Sequence, residues 1–498
     1  MITQALDRTM TADSSAATMQ AWKILPWLIS ASTLLIAVCI DPAFQHWFIL
    51  PLMICGGIVG NWALDWLRGE RDMFDPLSIF ALVGVHFFFL ATIMHVGTDY
   101  WMPYVDAPLD WRPWLGAMST LNVAGLGIFT ITRHALRRFA NPAPSTELWQ
   151  LDAHRLYWLA GRTILFCVVA QTLVYAKFGG ISGYVQAFSE QSDQFNGMGI
   201  VFLFSEAAPI VAIMAAVTWC RERSYRSVGV AVALLFMFIV LKFYFGGLRG
   251  SRGHLVYGLF WVACLIHVQL VRLPRKLLVS GLLLLLPFMY AYGLYKSFGS
   301  DAIHAFSAAE RADLNDKAPR TWQAVLLGDL ARSDVQALIL YRLSSANMAY
   351  DYDYAWGSTY VGTAALVIPR SVMPDRPLPK AKAGTDLLFG PGVYEHEFAS
   401  TFAYGLTGEA LLNFGLPGAL LSFVPIALLV IIAQRWYYGL PAADSRWLVL
   451  PLFLSIAFLG MLWDTDVLFF YLVKEGSVPG LLTLLCSRRV LSLSGSSS

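Results

Sequence analysis

Apolar residues run along this chain in long, nearly unbroken blocks separated by short polar breaks. A helix needs about 20 mainly apolar residues to cross the hydrocarbon core of a bilayer. Stretches of that kind lie near 22–40, 46–64, 76–97, 114–132, 157–176 and 198–219, and six more near 227–245, 254–271, 277–296, 411–434, 446–464 and 467–485. The pattern predicts an all-α integral membrane protein with about twelve transmembrane helices. The first twenty residues are polar and lack the apolar core of a signal sequence, so the first span is expected to direct insertion itself. No internal repeat is visible.

Basic residues then orient the spans, because cytoplasmic connections carry an excess of Lys and Arg. Arg133, Arg137 and Arg138 share one connection, Arg221, Arg223 and Arg226 a second, and Arg272, Arg275 and Lys276 a third. These alternate with basic-poor connections such as 98–113 and 178–197. Both termini come out cytoplasmic, with Arg488 and Arg489 agreeing. The expected order is a tail over 1–21, nine helices over 22–296, a large outer loop over 297–405, three helices over 406–487 and a tail over 488–498. The short connection 246–254, GGLRGSRGH, breaks the rule: it carries Arg249 and Arg252 yet falls outside. Basic groups kept there against the topological bias point to an anionic ligand at the outer face.

The long loop looks built. Trp322, Val325, Leu330, Val335, Leu338 and Tyr341 stand at helical spacing, which predicts an amphipathic helix over 321–342 lying on the membrane or on the bundle. An aromatic stretch, YDYDYAWGSTY, follows. Pro369, Pro374, Pro377 and Pro379 then force an extended path, and VYEHEF leads back to the membrane.

Composition agrees with membrane residence: 57% of residues are hydrophobic and 14% charged, against roughly 25% charged in soluble domains. The net charge of +2 gives no reason to expect a nucleic-acid partner. The six cysteines fall in or beside apolar segments without CxxC spacing and read as small apolar fillers. No HExxH, P-loop or GxSxG stands in a supporting context, so neither metal, nucleotide nor serine-hydrolase chemistry is indicated. No cofactor is expected.

Several residues are candidates for chemistry. Arg249 and Arg252 sit among four glycines, which allow close approach, and a guanidinium grips a phosphate through two parallel hydrogen bonds; contact with lipid headgroups alone is the plainer alternative. Arg370, held between prolines, is a further phosphate candidate. Glu409 lies in LTGEALLNFG, where an intramembrane carboxylate costs roughly 2.5–3.5 kcal/mol and is expected to face a cavity or to anchor an arginine. His396, between Glu395 and Glu397, is a candidate general base. Glu206 and Arg162 are expected to pair within the spans. Asp464, Asp466, Lys474 and Glu475 read as charges at a helix turn and a neighbouring polar patch.

The succession GLRGSRGH, YAWGSTYVGTAALVIPRSVMPDRPLP and STFAYGLTGEALLNFGLPGALLSF, over roughly residues 240–435, resembles the bacterial oligosaccharide repeat-unit polymerases, the Wzy-type O-antigen and exopolysaccharide polymerases, and overlaps the related O-antigen ligases. That resemblance implies a GT-C-like polytopic glycosyltransferase on the periplasmic face of the bacterial inner membrane. Its substrates would be oligosaccharides linked to undecaprenyl diphosphate, which is the leaving group. Arg249, Arg252 and Arg370 would bind the diphosphate, Tyr354, Trp356 and Glu397 the sugars, and His396 or Glu409 would accept the proton. Besides membrane lipids, the chain-length regulator and flippase of the same pathway become candidate partners. Two rivals remain: a ligase moving glycan onto lipid A core or protein, and a secondary transporter.

Overall fold

A computed structural model describes residues 22–102, 105–140, 147–190, 195, 198–246, 248, 252–298, 321–331, 333–344, 352–368, 372–394 and 402–491. Helix accounts for 78% of it, and the fold is all-α. Eight helices are long and apolar enough to cross a membrane: α1 (Trp22–Ile40), α2 (Ile49–Arg68), α3 (Pro76–Gly97), α4 (Arg112–Ala135), α5 (Ala153–Lys177), α7 (Val201–Glu222), α10 (Arg275–Tyr295) and α17 (Thr465–Leu485). A ninth candidate is the pair α14 (Gly405–Leu421) and α15 (Phe423–Gly439), bent by 60°. Three apolar helices are shorter: α8 (Val228–Tyr244), α9 (Gly253–Gln269) and α16 (Leu450–Leu462). The remaining helices are α6 (Ile181–Glu190), α11 (Ser333–Ser344), α12 (Ser358–Ala364) and α13 (Ala381–Phe389).

Large apolar side chains point outward along these helices, among them Leu28, Leu35 and Ile36 on α1, Leu165 and Phe166 on α5, and Leu282–Leu284 on α10. Such continuous apolar surface is a liability in water and the expected finish against lipid. Several charged and polar groups are turned inward instead, among them Asp75, His95, Glu206, Glu409 and Glu475.

The chain folds into two compact units. One comprises Met1–Arg137, Leu326–Ile431 and Ala457–Val467, the other Arg138–Val325, Ile432–Ile456 and Leu468–Ser498. In the first, Leu34, Phe48, Leu52, Leu115, Val335, Leu338, Leu387, Tyr404 and Leu411 form one core shared by helices from both sides of the long loop. Glycines let the backbones close up: a Cβ at Gly125 would stand 2.1 Å from the Phe423 ring.

In the second unit, Glu147–Leu151 (β1) pairs antiparallel with Ser487–Leu491 (β2). The C-terminal tail expected over 488–498 thus begins as a strand. Asp444 accepts from Trp149 N (3.2 Å), Ser487 Oγ donates to Ser445 Oγ (2.7 Å), Arg221 donates to Gln269 Oε1 (2.5 Å) and Gln269 Nε2 to Ala442 O (2.7 Å). The connection after α15 therefore meets the ribbon, and the C-terminal ends of α7 and α9 meet each other and that connection.

Two expectations change. The span read over 411–434 is part of a longer, broken element: Gly415 (φ 63°, ψ −152°) and Pro417 kink α14, and the chain turns again before α15. The single amphipathic helix expected over 321–342 becomes a π-type turn, Ala324–Asp329, and then α11. His86 Nε2 meets Leu326 O of that turn at 2.8 Å. Ser333 through Leu340 are all buried, so α11 is an inner helix of the first unit and not a surface one; its apolar residues pack against α4 and α14.

Candidate functional site

Glu409 lies on α14 and is fully buried, 0% exposed. Its Oε1 accepts from Thr359 Oγ1 and Thr465 Oγ1, both at 2.8 Å, and its Oε2 accepts from Thr465 N at 2.7 Å. Thr465 is the first residue of α17, so the carboxylate satisfies one of that helix's orphan N-terminal donors and meets its positive dipole end. Asn413, one turn after Glu409, donates to Thr359 Oγ1 and to Glu409 O, both at 2.8 Å. The arginine expected as a partner of Glu409 does not contact it among the described residues; two threonines and a helix terminus take that place.

Around this centre, Asp464 accepts from Tyr404 N (2.8 Å) and is paired with Lys380, which also reaches Asp466 at 3.6 Å. These aspartates bracket Thr465 at the first turn of α17, the helix turn that the sequence suggested, and pair with Lys380 there.

The aromatic stretch docks onto the same helix. Ala355 N donates to Leu412 O and Trp356 N to Asn413 O, both at 3.1 Å, while Gly357 N donates to Asn413 Oδ1 at 2.8 Å. Tyr352 donates to Leu412 O at 3.0 Å. Burial, with Tyr404 and Asp386 nearby, pushes the Tyr352 phenol above its ordinary range, which keeps it a donor. Tyr354 packs against Gly415, and its ring lies 5.9 Å from that of Trp356. Trp356 adopts φ 45° and is 74% exposed. A left-handed tryptophan costs roughly 1–3 kcal/mol, and here the strain holds a large ring outward. The backbone neighbours of this stretch line a cavity of about 380 Å³, formed by Tyr352, Asp353, Ser358, Thr359, Lys382 and Asp386, with prolines completing its wall.

Of the sequence candidates, the fold thus brings Glu409, Tyr354 and Trp356 together. Arg249, Arg370, His396 and Glu397 lie outside the described residues. Arg252 is the first residue of the helix Arg252–Gln269 (α9 with its preceding residue), without a described side chain.

The second unit holds another buried set. Glu475 meets His254 Nδ1 at 2.7 Å and Lys242 Nζ at 3.5 Å, and Glu206 meets Lys474 at 2.8 Å. Lys242 and His254 flank the 246–253 turn in sequence, and a Cβ on Gly246 would lie 2.6 Å from Glu206 Cδ. Both ends of the glycine-rich turn therefore rest on buried carboxylates. One expectation is overturned here. Arg162 does not pair with Glu206; it lies on the exposed side, 3.2 Å from the Trp158 ring centre. Lys474 and Glu475, read from the sequence as a polar patch, both belong to this set.

Thr359, Asn413, Thr465, Lys380, Lys242 and His254 escaped the sequence reading. A usable signal existed for two of them: Asn413 is four residues after Glu409 on the same helix face, and His254 ends the turn already singled out. Among the described residues no group of His, Cys, Asp and Glu is arranged to hold a metal ion. No family model, curated protein or solved structure matches the chain.

Proposed function

We propose that this chain is an integral-membrane glycosyltransferase of GT-C-like build that polymerises undecaprenyl-diphosphate-linked oligosaccharide repeat units on the periplasmic face of the bacterial inner membrane. Twelve spans with both termini cytoplasmic complete the reading. The observation that carries it is the docking of the aromatic stretch and its polar cavity onto the helix of Glu409. An exposed tryptophan on the stretch whose Tyr352, Asp353 and Ser358 line a polar cavity suits a sugar ring, which needs an apolar platform and directional hydrogen bonds. The order of the three sequence motifs supports the same class.

In the proposed reaction a hydroxyl oxygen of the incoming unit attacks the anomeric carbon of the growing chain. The bond from that carbon to the diphosphate oxygen breaks, and its electron pair leaves with undecaprenyl diphosphate. Arg249, Arg252 and Arg370 stabilise the departing charge. His396 takes the hydroxyl proton, a contribution of typically 10²–10⁴-fold. Glu409, with three donors already on its oxygens, acts as a positioning residue.

The test is elongation of a purified lipid-linked repeat unit by the protein in lipid nanodiscs. A ladder of longer lipid-linked glycans is expected, and it should vanish in the Arg249→Ala, Arg252→Ala double variant. Transfer solely to lipid A core would make the protein a ligase. Movement of intact glycan across proteoliposomes without any new glycosidic bond would make it a transporter.

A further inference from the structure

Within the second unit a cavity of about 580 Å³ lies between α16 and α17, with an almost wholly apolar wall. Phe453 on α16 and Val473 and Leu484 on α17 line it, and all three are exposed on the lipid-facing surface. Its lining positions on α17 run from Leu472 to Leu484, roughly 18 Å at the rise of an α-helix. One leaflet's share of the hydrocarbon core is about 15 Å. The groove is therefore about one leaflet deep, and it starts at the end of α17 that leads into β2. Gly480 also lines it, and a Cβ there would meet nothing within 4 Å.

The ribbon end of the groove is basic. Trp149 lines the groove, and Arg446 Cζ lies 5.8 Å from its ring centre. Arg489 stands directly opposite Trp149 in the ladder, hence on the same face of the ribbon. Asp444, which is buried, holds Arg446 through Nε at 2.9 Å and Nη2 at 2.7 Å. Glu147 ties the two arginines together. Its carbonyl accepts from Arg446 Nη2 at 3.3 Å, and its carboxylate accepts from Arg489 Nε at 2.9 Å and Nη2 at 2.5 Å. Nη1 of each guanidinium is left without a partner among the described residues, on side chains that are 34% and 65% exposed.

We propose that this groove binds one glycerophospholipid, with an acyl chain lying along α17 and the phosphate accepting from Arg446 Nη1, Arg489 standing beside it. A guanidinium gripped by one carboxylate still presents its outer N–H groups to a second oxyanion. Trp149 stands where the apolar groove meets that charge, the place an indole takes at a membrane interface. No residue of the site takes part in the proposed reaction, so the lipid is a structural ligand of the second unit and not a substrate.

Native mass spectrometry of the full chain, titrated in mild detergent with dioleoyl phosphatidylglycerol or with dioleoylglycerol, reads the occupancy. The two probes share their chains and differ in the phosphate-bearing headgroup. One phosphatidylglycerol is expected to be held about tenfold more tightly than the diacylglycerol, as a hydrogen bond to a charged group allows. Gly480→Leu places a side chain in the groove without a clash at its Cβ and should cost both lipids their site. Arg446→Lys keeps an ion pair with Asp444 but loses the outer amino group, and Arg489→Gln changes an exposed ribbon position. Each should weaken phosphatidylglycerol several-fold and leave dioleoylglycerol alone, and Arg489→Gln carries the test if the other variants do not fold. Arg488→Gln is the control: Arg488 stands opposite Gln150, on the other face of the ribbon, so the same charge is removed and binding should hold. Equal losses in Arg488→Gln and Arg489→Gln, no wild-type preference over dioleoylglycerol, or full retention of phosphatidylglycerol by Gly480→Leu would overturn the site. Displacement of phosphatidylglycerol by equimolar undecaprenyl phosphate would also overturn it, and would make the groove a polyprenyl site.

Discussion

At Glu409 the number of donors decides between two roles. A carboxylate offers about four lone-pair sites, and three are engaged by Thr359 and Thr465. Two of those donors are hydroxyls, which can turn and accept instead; the third, Thr465 N, cannot. Glu409→Gln can therefore keep its oxygen on Thr465 N and its amide on the hydroxyls, so a loss of no more than about 1–2 kcal/mol is expected. Glu409→Ala orphans every donor and should cost roughly 3–5 kcal/mol, the range for breaking a buried polar network. Thermal unfolding of the purified variants measures both, and elongation adds the decisive readout. A Gln variant that folds yet loses two to four orders of magnitude in rate would make Glu409 the base after all. Trp356 poses the opposite case, strain kept for exposure. Trp356→Gly removes a left-handed non-glycine residue and little buried surface, so the unfolding temperature should hold or rise while elongation slows. A drop of several degrees would mean that the ring is a packing anchor.

The elements repeat this contrast between what is periodic and what is not. Apart from the block at 411–434, which falls across two helices, each apolar block read from the sequence is helical within a few residues, because lipid-facing and core-facing surfaces are both apolar and leave a continuous signal. The break inside α14 was not legible: glycine and proline in a membrane helix are common enough to pass unnoticed, and only the fold reveals that Gly415 sits at φ 63° and ψ −152°. That region is essentially closed to residues with a Cβ, and a Cβ there would also approach the Tyr354 hydroxyl at 3.0 Å. Gly415→Ala is thus expected to destabilise the first unit by roughly 1–3 kcal/mol and to loosen the aromatic stretch, read as faster amide exchange at residues 354–357. Protection equal to wild type would show that the kink is not what seats that stretch. The partners of Glu409 were hidden for a different reason. Thr359 and Thr465 lie 50 and 56 residues away, and isolated threonines carry no pattern. The buried pairs of Lys380 with Asp464 and of His254 with Glu475 were missed likewise, since a charge next to an apolar block reads as a solvated end until tertiary contacts are known.

For the whole molecule, contacts at one end of the second unit constrain how many helices cross. The ribbon of β1 and β2 joins the chain before α5 to the chain after α17, and Asp444 and Ser445 rest on that ribbon. All three segments lie on one side of the membrane, so an even number of crossings separates each from the next. Between residues 445 and 487 stand α16 and α17. The 21-residue α17 is long enough to span; if it does, α16 crosses with it, although its 13 residues reach only about 20 Å. Between 151 and 444 stand three helices long enough to span, α5, α7 and α10; if each crosses, parity gives the bent pair a fourth crossing. Arg221 and Ala442 both hold Gln269, which means that α8 and α9 cross together or not at all. On that assumption the total is ten or twelve, against eight or nine spans by length and apolarity among the described residues, and position 248 separates the two. Cys39 is exposed while the other five cysteines are buried, so Cys39→Ser gives a background for labelling with an impermeant maleimide. Leu248→Cys and Val372→Cys should react in intact cells, whereas Arg138→Cys, Arg226→Cys and Arg272→Cys should react only after permeabilisation. If Leu248→Cys behaves like Arg226→Cys, the basic turn lies inside, the count falls to ten, and Arg249 and Arg252 lose their place on the outer face. With them would go the diphosphate site, because a group on the cytoplasmic side cannot stabilise a leaving group released outside.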